Sequence, residues 1–141
     1  MLAAWNPSTR GRTMPNNPVG WFEIYVQDMA RAKRFYETVL QVGLSPLPMP
    51  EGSPAEMEMQ SFPMEMEAQG AAGALVKMAG VPSGPGGTLV YFSCEDCAVE
   101  AGRVAAAGGS VQQEKMPIGE YGFIAMAVDT EGNPFGLHSM Q

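Results

Sequence analysis

Positive charge is scarce in this chain. Eight Lys and Arg stand against fifteen Asp and Glu in 141 residues, a formal net charge of −7. Glu51, Glu56, Glu58, Glu65 and Glu67 share a stretch that holds no Lys or Arg. A field of that sign repels a phosphate backbone, which argues against nucleic acid as a partner. His138 is the single histidine, and Cys94 and Cys97 are the two cysteines. These fall short of the roughly four ligands of a structural zinc. The C-x-x-C spacing leaves two readings open: a redox dithiol at a helix start, where the dipole lowers a thiol pKa, or two thiols packed inward. No apolar run approaches the ~20 residues that span a bilayer, so no membrane association is expected. The N-terminus shows neither the charged region nor the apolar core of a signal peptide, and the expected location is the cytoplasm. A G-x-S-x-G elbow, a phosphate loop and a dinucleotide Gly motif are also missing.

The composition that remains, 45% hydrophobic and 16% charged, suits one globular domain that buries about two-thirds of its unfolded surface. Residues 1–18 are polar, without periodicity, and read as an arm. Met14 begins MPNNPVGW, a plausible alternative start. GWFEIYVQ (20–27) reads as a strand with Phe22, Ile24 and Val26 on one face and Trp21, Glu23 and Tyr25 on the other. Asp28 is a natural N-cap, and Met29, Ala32, Phe35, Tyr36, Val39 and Leu40 follow at helical spacing. From Leu44 to Met66 come prolines and short alternating pieces, Met57-Glu-Met59 and Met64-Glu-Met66, read as strands. Strands at 72–78 and 88–94 flank the flexible connector 79–87. A second helix then runs from an Asp96 cap to Gly108 and Gly109. Three strands close the chain: SVQQ (110–113), 121–128 and 135–140.

The order is βαβββ, a connector, then βαβββ. Laying Asp28 on Asp96 gives an offset of 68, which matches Phe22 with Val90 and Glu23 with Tyr91. Laying Gly70 on Gly132 gives an offset of 62, which matches Ala74 with Gly136 and Val76 with His138. Two copies of one supersecondary unit are implied.

F-E-I-Y-V-x-D-M-x-R-A-x-x-F-Y-E, G-x-L-V-Y-F-x-C-x-D, Y-G-F-I-A and D-T-E-G-N-P-F-G-L-H-S together resemble the vicinal-oxygen-chelate superfamily. It contains glyoxalase I, bleomycin-resistance proteins and extradiol dioxygenases, and the nearest likeness is to its lactoylglutathione-lyase-related branch. The resemblance spans roughly 18–140. It implies an α+β fold of two βαβββ modules, 19–78 and 88–140, forming curled half-barrel sheets around a cavity, and a homodimer. In catalytic members the metal ligands come from first and last strands of each module. Counted from Asp28, Asp96, Gly70 and Gly132, those positions here are Trp21, Leu89, Ala74 and Gly136. None of these side chains binds a divalent cation, so no cofactor is expected, unless a divalent metal is held by shifted ligands.

One same-face step along each strand, about 6.6–6.8 Å, lie Glu23, Val76, Tyr91 and His138. Glu23, His138 and Tyr91 are therefore the candidate acid–base residues, with Glu23 paired to His138 or Tyr91 so that its burial is tolerated. Trp21, Tyr25, Met57 and Met59, with Met64 and Met66, are candidates to line a pocket for an apolar or aromatic ligand. The loop 114–123 is the candidate lid, with Glu120 and Tyr121 at the mouth. The functional expectation is a small-molecule binder lacking the usual metal ligands. Its rivals are a lyase or isomerase that uses Glu23 as a base, or as a metal ligand together with His138, and a partner-binding or regulatory module that uses the sheet interface, which a pocket filled by Trp21 and Met side chains would favour.

Overall fold

A computed structural model describes residues 17–65 and 67–141; nearly all of the expected arm, Met14 included, and Met66 lie outside the described residues. Eight strands make one sheet: β1 (Val19–Tyr25), β2 (Ser45–Pro46), β3 (Glu58–Ser61), β4 (Ala72–Lys77), β5 (Thr88–Ser93), β6 (Ser110–Pro117), β7 (Phe123–Val128) and β8 (Pro134–Ser139). Two helices, α1 (Met29–Leu40) and α2 (Cys97–Val104), complete two βαβββ modules. The strand order is β2-β3-β4-β1-β5-β8-β7-β6. The modules are the two halves of that order, joined by antiparallel β1–β5 pairing. Within each module the first and last strands pair in parallel, Glu23 beside Ala74 and Tyr91 beside Gly136. That is the repeat register read from the sequence. The sheet is curled: the Tyr121 hydroxyl donates to the Pro48 carbonyl at 3.2 Å, bringing the end of the second module against the first.

Both helices begin where the Asp caps stand. The Asp28 carboxylate accepts from the Arg31 N–H and the Asp96 carboxylate from the Ala98 N–H, each at 3.0 Å, satisfying donors that a helix start leaves unpaired. α1 ends at Gln41, which takes the left-handed conformation (φ 55°). The apolar side of α1 covers Ile24, Val26 and Leu75 on the helix face of the first module. α2 places Cys97 and Ala101 against Ala125 and Leu137 in the second.

Three boundaries differ from expectation. Met64 and Glu65, the described part of the strand expected at 64–66, are exposed and irregular, and Pro63, which has no N–H to donate, precedes them. β6 runs through Pro117, past SVQQ, and its register shifts twice, which bends it. The first part of the expected lid, 114–117, is therefore strand. A 3₁₀ turn at Gly119–Tyr121 forms much of the rest, and β7 starts at Phe123.

Gly73 sits opposite Phe22 across the β1–β4 pair. A Cβ there lies 2.5 Å from the Phe22 ring, which occupies the space. That ring stacks in turn on Phe62, centroids 5.6 Å apart. Gly73→Ala therefore overpacks the helix face and lowers unfolding stability in urea by about 1–3 kcal/mol. Gly43→Ala, whose Cβ meets nothing within 4 Å, changes it by less than about 0.5 kcal/mol.

Candidate functional site

The inner face of the sheet, opposite the helices, carries Trp21, Glu23 and Tyr25 from β1. Beside them lie Ala74 and Val76 from β4, and Leu89 and Tyr91 from β5. Glu23 is only 6% exposed, and three donors converge on it. The Tyr25 hydroxyl donates to Oε1 at 2.8 Å, the Tyr91 hydroxyl to the same oxygen at 3.2 Å, and the Trp21 indole Nε1–H to Oε2 at 3.2 Å. Strand geometry makes this possible. Trp21 and Tyr25 flank Glu23 at two-residue spacing on one face, while Tyr91 reaches in from the neighbouring strand on the diagonal.

Burial raises the Glu23 carboxyl above the ordinary 4.5, and the bonds from Tyr25, Trp21 and Tyr91 partly offset it. Burial first, then the nearby carboxylate, pushes both tyrosines well above their usual range. They are therefore permanent donors and not bases. Glu23 is thus the proton-exchanging group of this cluster, its titration shifted upward by burial.

Tyr91 owes its place to a missing side chain. Gly136 is its neighbour on β8, and a Cβ there lies under 2.5 Å from two Tyr91 ring carbons. Gly136, which in sequence is only a vacant ligand position, makes room for this ring.

The expected Glu23–His138 pair does not form. His138 Nε2–H donates to the Tyr121 carbonyl instead. The register accounts for it: His138 is level with Ser93 and Glu23 with Leu89, four residues apart on β5, or roughly 13 Å. Tyr121 joins this second arrangement, its hydroxyl on Pro48 and its carbonyl on His138.

Met59 is buried with Ala74 and Val76 on this face, and Met57, Trp21 and Tyr25 pack against that group. Leu47 and Met49, from a connecting segment without periodicity, join them there, as does Met78, one same-face step past Val76 in the strand expected at 72–78. Met64 is 45% exposed and takes no part. Methionine thus covers the first module's inner face. Two clefts open elsewhere. One of about 380 Å³ lies beside the start of α1, lined by Tyr25, Arg31, Tyr36 and Ser83 among others. The other, about 270 Å³ and apolar, lies between α2 and β8.

The implied metal positions, Trp21, Leu89, Ala74 and Gly136, all border Glu23 or Tyr91. They offer no coordinating atom, and Glu23 alone is too few ligands, so this donor set does not fit a metal. Among the described residues no group of three or more His, Cys, Asp and Glu is placed to hold one. Neither Cys94 nor Cys97 is joined in a disulfide. Cys97 is fully buried, and burial with the nearby Glu100 pushes the Cys94 thiol up to about 12. An inert, packed pair fits this better than a reactive dithiol.

A family model described as Glyoxalase/Bleomycin resistance protein/Dioxygenase superfamily matches residues 19–137. Among solved structures, a methylmalonyl-CoA epimerase from Mycobacterium tuberculosis is similar with a TM-score of 0.64 and 14% identity, covering 100% of this chain and 93% of that one. A Streptomyces coelicolor methylmalonyl-CoA epimerase variant (Q60A), in complex with 2-nitronate-propionyl-CoA, is similar at 0.62 and 13%, covering 86% and 96%. The hypothetical protein BH1468 from Bacillus halodurans C-125 is similar at 0.63 and 12%, covering 87% and 94%. At these identities the likeness is one of fold. No curated protein sequence matches significantly.

Because the folded state holds the Glu23 proton more tightly than the unfolded chain does, the extra stability is full below pH 4.5 and is lost as pH rises through the folded-state pKa. Tyr25 and Tyr91, the titratable groups bonded to it, stay protonated throughout. Glu23→Gln removes this titration. Its melting temperature relative to the unaltered protein rises as pH climbs from 4 towards 8, which scanning fluorimetry across that range reads directly. A gap that narrows with pH contradicts the raised carboxyl.

Proposed function

Since the chain belongs to the glyoxalase/bleomycin resistance protein/dioxygenase superfamily, we propose that the inner face of its sheet seats a small, largely apolar or aromatic molecule without the metal ligands usual in that superfamily. The observation that carries the reading is the Glu23 cluster. One buried carboxyl is held by three side-chain donors, and the surrounding ligand positions are taken by Trp21, Leu89, Ala74 and Gly136. Such a site offers a polar anchor in an apolar wall, the usual composition of a small-molecule pocket.

Trp21, Tyr25, Met57 and Met59 supply the wall. The methionines on this face, being unbranched and flexible, repack to admit a ligand at little cost. Tyr121 and the 3₁₀ turn stand at the rim of the second module and serve as the lid in this reading. The S. coelicolor epimerase binds a coenzyme A derivative, whose phosphates call for cationic partners. No Lys or Arg occupies the inner-face positions of β1, β4, β5, β7 or β8, which disfavours coenzyme A esters and glutathione adducts here.

A lyase or isomerase is the second reading. It draws on the raised pKa of Glu23, which suits a general base, with Tyr91 as a hydrogen-bond donor to developing charge. The version in which Glu23 shares a metal with His138 lacks its geometry, because the two sit at different levels of the sheet. Homodimerisation in the cytoplasm belongs to the proposal, and light scattering at micromolar concentration reads the assembly state.

Glu23→Gln separates the readings. As a binder, the variant still quenches Trp21 fluorescence with an apolar aromatic ligand, its affinity changed by about tenfold or less. As an enzyme, turnover falls by about 10²–10⁴-fold with folding intact. Binding that survives Trp21→Ala together with Tyr25→Ala, measured by calorimetry, places the ligand elsewhere and overturns both.

A further inference from the structure

Resting on the inner-face reading above, we infer that the molecule seated there is an organic cation, an amine or quaternary ammonium carried on an apolar or aromatic body. Glu23 is the starting point. Its carboxyl accepts from Tyr25, Tyr91 and Trp21, all of them uncharged donors. They solvate an anion as water does, but they do not cancel its charge. A carboxylate has about four lone-pair positions; two bonds fall on Oε1 and one on Oε2, so the unused acceptor capacity is on Oε2.

Nothing built into the sheet neutralises this carboxylate. The inner-face positions of β1, β4, β5, β7 and β8 hold neither Lys nor Arg. The salt bridge among the described residues, Lys115–Asp96 at 2.8 Å, lies at the start of α2 on the other face. A buried carboxylate without a counter-charge is costly unless it is protonated or a positive group arrives. A cationic ligand supplies that group.

The walls favour the same charge. Trp21, Tyr25 and Tyr91 gather three aromatic side chains around one carboxyl through their N–H and hydroxyl groups, and a ring face offered to an alkylammonium attracts it most strongly where water is excluded. Met57 and Met59 beside them add polarisable surface without competing donors. The net charge of −7 steers cations towards the protein and anions away from it. An anionic ligand meets Glu23 with no compensating group, and a neutral one leaves its charge unanswered.

The test uses two probes of nearly identical shape, phenyltrimethylammonium and its uncharged isostere tert-butylbenzene. Trp5→Phe leaves Trp21 as the sole indole, and its fluorescence is followed at pH 8 with calorimetry alongside. The cation binds at least about tenfold more tightly than the isostere, and in Glu23→Gln the ratio falls to about one. Equal or tighter binding of tert-butylbenzene to the unaltered site overturns the cation while leaving an apolar seat in place. No response to either probe up to saturation removes both the cation and the seat. The ratio in the unaltered site decides by itself, so the result does not depend on whether Glu23→Gln folds.

Discussion

Antiparallel pairing of β1 with β5 is the constraint on which the inner face depends. Phe22 lies opposite Val90, which is its own counterpart in the repeat. The local two-fold relation between modules therefore passes through that pair. Every other β1 residue faces a position shifted along the repeat: Trp21 meets Tyr91, and Glu23 meets Leu89. Glu23 and Tyr91 are counterparts of each other, and the axis sets them on a diagonal within hydrogen-bond reach at 3.2 Å. Glutamates at both places would bring two like charges together in a water-poor layer. Tyrosines at both would leave donors without a strong acceptor. The divergence of the two copies at this one position makes a satisfied polar centre out of a symmetric scaffold.

Much of this was legible in the sequence. The Asp28 and Asp96 caps, the 3.6-residue apolar spacing of α1 and the repeat offsets are local or pairwise signals. Each survived because nothing in the tertiary structure competes with it. The two-residue step also singles out Glu23 and Tyr91, which the structure joins by a hydrogen bond. His138 shows where the same step stops being informative. Moving two residues along β1 and two along β5 goes in opposite directions across an antiparallel junction, so residues on the outer parallel strands are carried apart. Strand direction between modules is a tertiary fact, and no periodicity encodes it. The irregular backbone at Met64 and Glu65 has a different cause: alternating Met and Glu made a strand pattern, and Pro63 before it outweighs that pattern. The extension of β6 through Pro117 was hidden by its bulges, which break the two-residue alternation that marks a strand.

The helix face of the second module explains the cysteines without chemistry. Cys97 stands in the first turn of α2, its backbone N–H donating to the Ser139 hydroxyl at 3.0 Å. That ties the helix start to the last strand. Cys94 continues β5, its N–H donating to the His138 carbonyl at 2.7 Å. Both thiols sit where chain connection and packing need a small apolar side chain, and the C-x-x-C spacing follows from the distance between a strand end and the helix it feeds.

Gly136 and Tyr91 are best understood as one unit. The resemblance to metal-binding relatives assigns position 136 a ligand, and here a ring from the adjacent strand lies over it, too close for even a methyl group. A carboxylate or imidazole at 136 meets the Tyr91 ring before it reaches any ion. Removing Tyr91 alone frees the space but takes a donor from Glu23, leaving a buried carboxyl with two bonds in place of three and a cavity where the ring was. Each single step away from the present arrangement carries a stability cost of its own. Only their combination opens the position, together with donors at Trp21, Leu89 or Ala74 that this chain lacks. The polar cluster and the missing ligand set are thus one packing solution, in which Tyr91 takes the space and Glu23 takes the hydrogen bonds.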